Sequence, residues 1–212
     1  LIIENVNVEG LQAGGVVARL GYQSRLENVA VIGTINISGA EGVQGGLVGW
    51  AYREASIINS FTSHEVLSSH AECTCTNAFY LNKVAEGAGT PVTQEQFACG
   101  EICYILNGNS AVGPWRQTLT ADAYPSFTGS KVYYVEADNS YNNMGVGSGT
   151  ESDPYLLYDK SDLFNFANRC NACEDFKIMY CARLEADIDL ENENWKPIGL
   201  TNHGDHMYAG IF

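Results

Sequence analysis

Positive charge is scarce in this sequence. Eleven Lys and Arg stand against 25 Asp and Glu, for a formal net charge of -14. So acidic a chain repels phosphate backbones, which argues against nucleic acid and anionic membranes as partners. No apolar run reaches the roughly 18 residues of a membrane-spanning helix, so no span is expected. Charge of either sign is also low, at 17%, below the usual quarter of a globular chain. Seven cysteines in 212 residues are too few for a disulfide scaffold. Their odd number leaves at least one thiol free or paired outside this stretch. Two further features are missing: an initiating Met and a polar tail. The chain opens on Leu1 and closes on Gly210-Ile211-Phe212. It reads as an internal piece of a longer protein, so the lack of a signal peptide carries no information.

What is present suits short strands joined by turns: 22 Gly and 12 Tyr among many Asn, Ser and Thr. The length allows one or two domains and a sizeable core. The strongest pattern is a repeat. Gly45-Gly46-Leu47-Val48-Gly49-Trp50, followed by Ile57-Ile58-Asn59-Ser60-Phe61 and Val66, has an earlier copy in Gly14-Gly15-Val16-Val17-Ala18, Leu26-Glu27-Asn28-Val29-Ala30 and Ile35. Gly14 to Gly45, Leu26 to Ile57, Asn28 to Asn59 and Ile35 to Val66 are each 31 residues, so the copies align without a gap. Ile3-Glu4-Asn5-Val6 is a truncated third copy, 23 residues before Leu26. A period of this length marks a solenoid. Its segments are too short and β-branched for helices, and stacking them lets each pair with the one above and below.

Two details of the stack follow. Asn5, Asn28 and Asn59 share one phase, which predicts an inward amide ladder; independent turn residues are the plainer alternative. Gly14, Gly15, Gly45, Gly46 and Gly49 are expected to supply positive φ and close packing. A phosphate loop at Gly45-Gly46 is disfavoured, because no Lys-Ser/Thr and no long helix follow.

The period fades after residue 66. Cys73-Thr74-Cys75 and Asn77-Ala78-Phe79-Tyr80 read as a last irregular coil, and Glu86–Pro91 as a loop. Thr93 and Gln96 form a capping-box pattern for a helix through Phe97, Cys99, Ile102, Cys103 and Leu106, stopped at Asn107-Gly108. That helix is expected to cap the open end of the stack. Lys131–Val135 reads as a strand, and the Gly/Asn/Ser-rich stretch 138–150 as a linker. Beyond it lie a strand at Pro154–Tyr158, a helix capped by Ser161, and extended structure from Phe176 to Leu190. The expected division is 1–98 solenoid repeats, 99–137 capping helix and spacer strands, 138–150 linker, and 151–212 the start of a second, truncated solenoid module.

The segments Gly45–Gly49 and Ile57–Phe61 resemble the GLUG motif of repetitive bacterial surface proteins, some of them associated with IgA-cleaving peptidases. The first copy departs from that motif at Val16, Val17 and Ala18. Cys99–Gly108, followed by Trp115-Arg116-Gln117 and Tyr124-Pro125, looks like the spacer that follows such repeats. Gly149-Thr150, Asp153-Pro154-Tyr155, Ala186–Leu190 and Trp195…Pro197-Ile198-Gly199 are similar to the opening of another array. The resemblance implies a mainly β chain forming a right-handed parallel β-helix or solenoid with short capping helices, exported to the cell surface. It implies no catalytic residues and no cofactor.

Candidate sites are few. Cys170 and Cys173 have zinc-knuckle spacing with His203 and His206 as partners, but a structural zinc needs four tetrahedral ligands, and the two pairs stand 30 residues apart. A Cys170–Cys173 disulfide or two buried thiols is the simpler reading, with Cys181 another candidate partner. A redox role would need the pair at a helix N-terminus, and it falls at a helix end. Cys73 and Cys75 share a strand face, and Cys99 and Cys103 lie one helical turn apart; these read as small core residues. Asp187 and Asp189 share a strand face and with Glu185 suit calcium, or paired carboxylates for glycoside chemistry; a half-buried strand ending in a polar turn also explains them. Arg19, Arg25, Arg53, Glu27, Glu54 and Glu65 are scattered as on a solvated face. Trp50 and Tyr52, with Tyr22 and Phe61, could line a sugar-binding strip or pack at rung edges. The reading that follows is a non-catalytic, adhesive or structural module presenting turn residues to a host glycan, host protein or surface matrix. The rival reading is a carbohydrate-active β-helix enzyme, or an accessory module of a surface peptidase.

Overall fold

The computed structural model describes residues 1–65, 67–81, 88–136, 138–173, 177–199 and 207–212. Val66, the 86–87 part of the expected loop, Phe176 and the His203/His206 pair lie outside the described residues. The chain is mainly strand, in several small sheets, most of them parallel.

The N-terminal part runs β1 (Ile2–Gly10), β2 (Ala13–Gly14), β3 (Val17–Leu20), β4 (Arg25–Glu27), β5 (Ala30–Gly39), β6 (Gln44–Gly45), β7 (Val48–Ala51), β8 (Ser56–Thr62), β9 (His70–Ala71), β10 (Thr74–Leu81) and β11 (Thr90–Val92). The 31-residue spacing is the pairing register. Gly14 pairs with Gly45, Val17 with Val48, Leu26 with Ile57 and Ala30 with Phe61, all parallel. Backbone donors follow from that register: Gly15 N–H bonds the Gly45 carbonyl and Asn28 N–H the Ile58 carbonyl, each carbonyl one residue before the donor's 31-residue partner. The step then shortens. Asn59 and Asn77 are 18 residues apart, and Phe79 pairs with Thr90 of β11. Leu20, Leu26, Leu47, Val48, Ile57 and Tyr80 fill the core between these strands.

The glycines act through space rather than through φ. None of Gly14, Gly15, Gly45, Gly46 or Gly49 has positive φ. A Cβ on Gly14 would lie 2.6 Å from the Gly49 nitrogen, and one on Gly45 2.5 Å from the Leu67 oxygen. Neighbouring backbones occupy the volume a side chain would need. Left-handed backbone falls instead on asparagine: Asn5 (φ 57°), Asn28 (52°), Asn59 (47°) and Asn77 (48°). Asparagine tolerates that region better than any residue but glycine.

The ladder expected from Asn5, Asn28 and Asn59 is corrected here. Asn28, Asn59 and Asn77 occupy one column, set by the pairs Glu27–Ile58 and Ile58–Thr76. Within it Asn77 Nδ2 donates to Asn59 Oδ1 at 3.0 Å, while Asn28 Oδ1 accepts from the Trp115 indole at 3.2 Å. Asn5 stands elsewhere, because β1 pairs with β5 and a bulge falls between Glu4 and Val6. There Asn5 Oδ1 accepts from Thr34 N–H at 2.9 Å beside Gly33, itself at φ 84°.

After β11 come α1 (Gln94–Ala98) and α2 (Glu101–Leu106). The capping box is formed: Thr93 Oγ1 accepts from Gln96 N–H and Gln96 Oε1 from Thr93 N–H. The single helix expected there is two, broken at Gly100 with φ 94°. The pair lies along the side of the strand column rather than across its end. Ala30, Phe61, Phe79 and Val92, from successive strands, share one core with Phe97, Ile102, Leu106 and Trp115.

Next come β12 (Tyr133–Val135) and β13 (Ser140–Asn142), an antiparallel pair. The stretch expected to be a linker therefore contributes a strand, and Val146 bridges to Leu156. The C-terminal unit contains β14 (Tyr155–Leu157), α3 (Lys160–Asn171), β15 (Lys177–Ile178), β16 (Ala182–Leu184) and β17 (Met207–Tyr208). β14 pairs with β16 and β15 with β17, both parallel. Asp159, two residues before the expected Ser161, caps α3 by accepting from Asp162 N–H. Residues 187–190, expected as strand, are not strand. Among the described residues no helix is long and apolar enough to cross a membrane.

Candidate functional site

The outer face of β3 and β7 carries a cluster of recognition-type side chains. Alternation sets it up. Leu20 and Ala51 point into the core, so Arg19 and Trp50, paired across the two strands, point out. Each strand then enters a tight turn, with Ser24 N–H bonded to the Gly21 carbonyl and Ala55 N–H to the Tyr52 carbonyl. Gln23 and Glu54 take left-handed φ at equivalent places in these turns, and Gln23 Nε2 donates to Glu54 Oε2 at 3.4 Å. Stacking the turns stacks their aromatics. The Tyr22 and Tyr52 ring centroids are 5.3 Å apart, and those of Tyr52 and Trp50 are 6.0 Å apart. The Arg19 guanidinium lies over the Tyr52 ring at 5.2 Å. Tyr22 is 67% exposed, and Trp50 and Tyr52 are half-buried. The result is a strip of three rings and one guanidinium on the protein surface. Such a strip offers flat apolar faces for the C–H face of a sugar ring and donors for its hydroxyls.

The other sequence-derived residues fall apart from this strip. Phe61, grouped with it by sequence, is fully buried, 5.1 Å from Phe97 and 5.4 Å from Trp115. It is a packing residue because β8 passes under α1 and α2 at that point. Cys170 is a buried thiol in the last turn of α3, packed with Phe166 and Ile178, and is not disulfide-bonded to Cys173. Burial pushes its thiol up to about 12. Asp187 and Asp189 are exposed in irregular backbone, and Asp189 Oδ1 accepts from Glu191 N–H at 2.8 Å in a turn. No group of three metal-ligating side chains converges among the described residues.

A buried charged cluster went unread in the sequence. Lys131 Nζ lies 2.5 Å from Asp159 and 3.5 Å from Asp162, which has no solvent exposure. Tyr133 Oη donates to Asp162 Oδ1 at 2.6 Å, and Tyr158 N–H to Asp162 Oδ2 at 3.0 Å. Burial raises the Tyr133 phenol, and the Asp162 carboxylate raises it further. Burial also pushes the Asp159 carboxyl up. The hydrogen bond from Lys131, the N–H groups of Asp162 and Ser161 and the Lys131 charge outweigh that and hold it below the ordinary range. Every carboxylate oxygen engaged here meets a donor, so the cluster joins the spacer to α3. Beside it Tyr104, Val112, Tyr134, Val146 and Tyr158 line a cleft of about 430 Å³. The sequence signal was a lysine inside the otherwise apolar Lys131–Val135 run.

Comparison with protein-family profiles, with curated proteins and with solved structures returns no match to this chain.

Proposed function

We propose that the chain is a non-catalytic β-solenoid module of the GLUG-repeat type, a right-handed coil displayed on the surface of an exported bacterial protein. Its task is adhesion, with the Tyr22–Tyr52–Trp50 strip and Arg19 as the contact surface for a neutral glycan of host or matrix. One observation carries the reading: between residues 13 and 62, strands that are 31 residues apart pair in parallel and in register in four successive segments. A coil built that way holds its turns at fixed spacing, so the Tyr22 and Tyr52 rings on successive turns lie 5.3 Å apart. The net charge of -14 favours uncharged ligands over acidic polysaccharides.

A glycan array tests the reading, run beside Trp50→Ala and Tyr52→Ala and followed by incubation of the bound polymers with protein. Retention of neutral glycans, lost in both variants and without product release, is the expected result. Release of shortened polymer would replace the adhesive reading with an enzymatic one, and retention unchanged in both variants would remove the strip.

A further inference from the structure

Cys73 and Cys75 do more than fill the edge of the core. Their sulfur atoms lie 3.9 Å apart. Both residues are half-buried at the margin of the first core. The contact follows from position: residues i and i+2 of a strand share a face, and Cys75 is in β10 while Cys73 sits at a bend just before it. Two residues apart, their Cα atoms are no farther than about 7 Å, at the outer edge of disulfide reach.

We propose that Cys73 and Cys75 form a thiol–disulfide exchange site, oxidised by a low-molecular-weight disulfide such as oxidised glutathione to an intramolecular Cys73–Cys75 bond. One thiolate of the pair, written here as Cys73, attacks one sulfur of the small disulfide, whose S–S bond breaks and releases one thiolate, which takes up the proton lost from the attacking thiol. Cys75 then attacks the Cys73 sulfur of the mixed disulfide. Its own proton goes to the second leaving thiolate. Two protein thiols are oxidised, one small disulfide is reduced to two thiols, and atoms and electrons balance.

The two sulfur atoms share a hydrogen bond in which either can be the donor. The hydrogen bond with Cys75 holds the Cys73 thiol below its ordinary value, and the same bond and burial push Cys75 up. Whichever thiol loses its proton is held as thiolate by a hydrogen bond from the other, so either can open the exchange and the other resolve it. The remaining thiols differ. Burial raises Cys103 and Cys170 to about 12, Cys181 is buried, and exposed Cys99 makes its sulfur contact with the Gln96 carbonyl.

Trypsin separates these groups. Residues 54–83 hold Cys73 and Cys75 and no other cysteine, and 84–116 hold Cys99 and Cys103. The protein is incubated with oxidised glutathione, quenched with acid, alkylated, digested and weighed. Peptide 54–83 is expected to escape alkylation and lose two hydrogens, while glutathione appears on 84–116. Adduct on 54–83 should stay below about a tenth, because the second step is intramolecular, with an effective concentration in the millimolar range or above. In Cys75→Ser and in Cys73→Ser alike no resolving thiol remains, so the glutathione adduct accumulates on peptide 54–83. Double alkylation of wild-type 54–83 under conditions that modify Cys99 would overturn the proposal, as would a wild-type adduct on 54–83 as large as in the single variants.

Discussion

The N-terminal strands and the C-terminal unit use the same backbone device, parallel pairing, but depend on different things to hold it. From Ala13 to Thr62 the register is set by repetition: the strand residues between Ala13 and Val31 pair with their equivalents 31 positions on. The environment of one step is copied in the next, and Gly14 and Gly45 stand at equivalent places where two backbones crowd. The unit after residue 151 has no copy within the described residues. Its α3 separates β14 from its partner β16, and it meets the spacer through the Lys131 ion pairs, the Ser130–Asn165 hydrogen bond and the Val146–Leu156 bridge. A stack spreads its stability over many equivalent contacts, whereas an unrepeated unit concentrates it in single residues.

The largest break should come from the unrepeated side. Asp162→Ala leaves Lys131 buried beside one carboxylate and removes the acceptor of Tyr133 and Tyr158. A loss of about 4 kcal/mol is expected, read as a fall in Tm, with the near-ultraviolet signal of the C-terminal aromatics lost first. On the repeated side, Gly45→Ala drives a Cβ to 2.6 Å from the Ser68 Cα. Because the obstacle is backbone, about 3 kcal/mol should be lost. Amide exchange should rise in β6 and β7 and stay near wild type in α3.

Asn59 sharpens the contrast between backbone and side chain. Asn59→Ala meets the left-handed φ of 47° and should cost about 1.5 kcal/mol. Asn59→Gly keeps the conformation and loses only the bond to Asn77, so urea titration should place it nearer wild type.

The smallest effect is on pH. The folded Asp159 carboxyl titrates below its unfolded value, so its contribution is present above the ordinary aspartate range and is lost as pH falls through the depressed folded value. Acid titration of Asp159→Asn should show a flatter stability profile there, and an unchanged profile would deny the Lys131 pairing its electrostatic role.

The repeat was legible because it is periodic: glycine pairs, apolar segments and asparagine recur at one spacing, and that spacing is the strand register. The capping box at Thr93 and Gln96 was legible because its chemistry is local. What escaped was anything decided by tertiary register. Asn5 looks like Asn28 in sequence, but a bulge moves it to Gly33, and Asn77 takes the place in the column. Phe61 looks like a surface aromatic until α1 and α2 cover it. Of the aromatic strip, Trp50, Tyr52 and Tyr22 were readable as side chains outside the core pattern. Arg19 joins them only because β3 pairs with β7. Asp187 and Asp189 alternate like strand residues, yet no partner strand is beside them among the described residues. The Lys131–Asp159–Asp162 cluster joins residues about 30 positions apart, beyond any local pattern.

The in-register stack is the central claim, and nuclear Overhauser contacts between backbone amides test it most directly. The account predicts cross-strand contacts at an offset of 31 for Val17 with Val48 and Leu26 with Ile57, and of 18 for Ile57 with Cys75. Contacts that instead join β3 to β4 and β7 to β8 as antiparallel hairpins would contradict it.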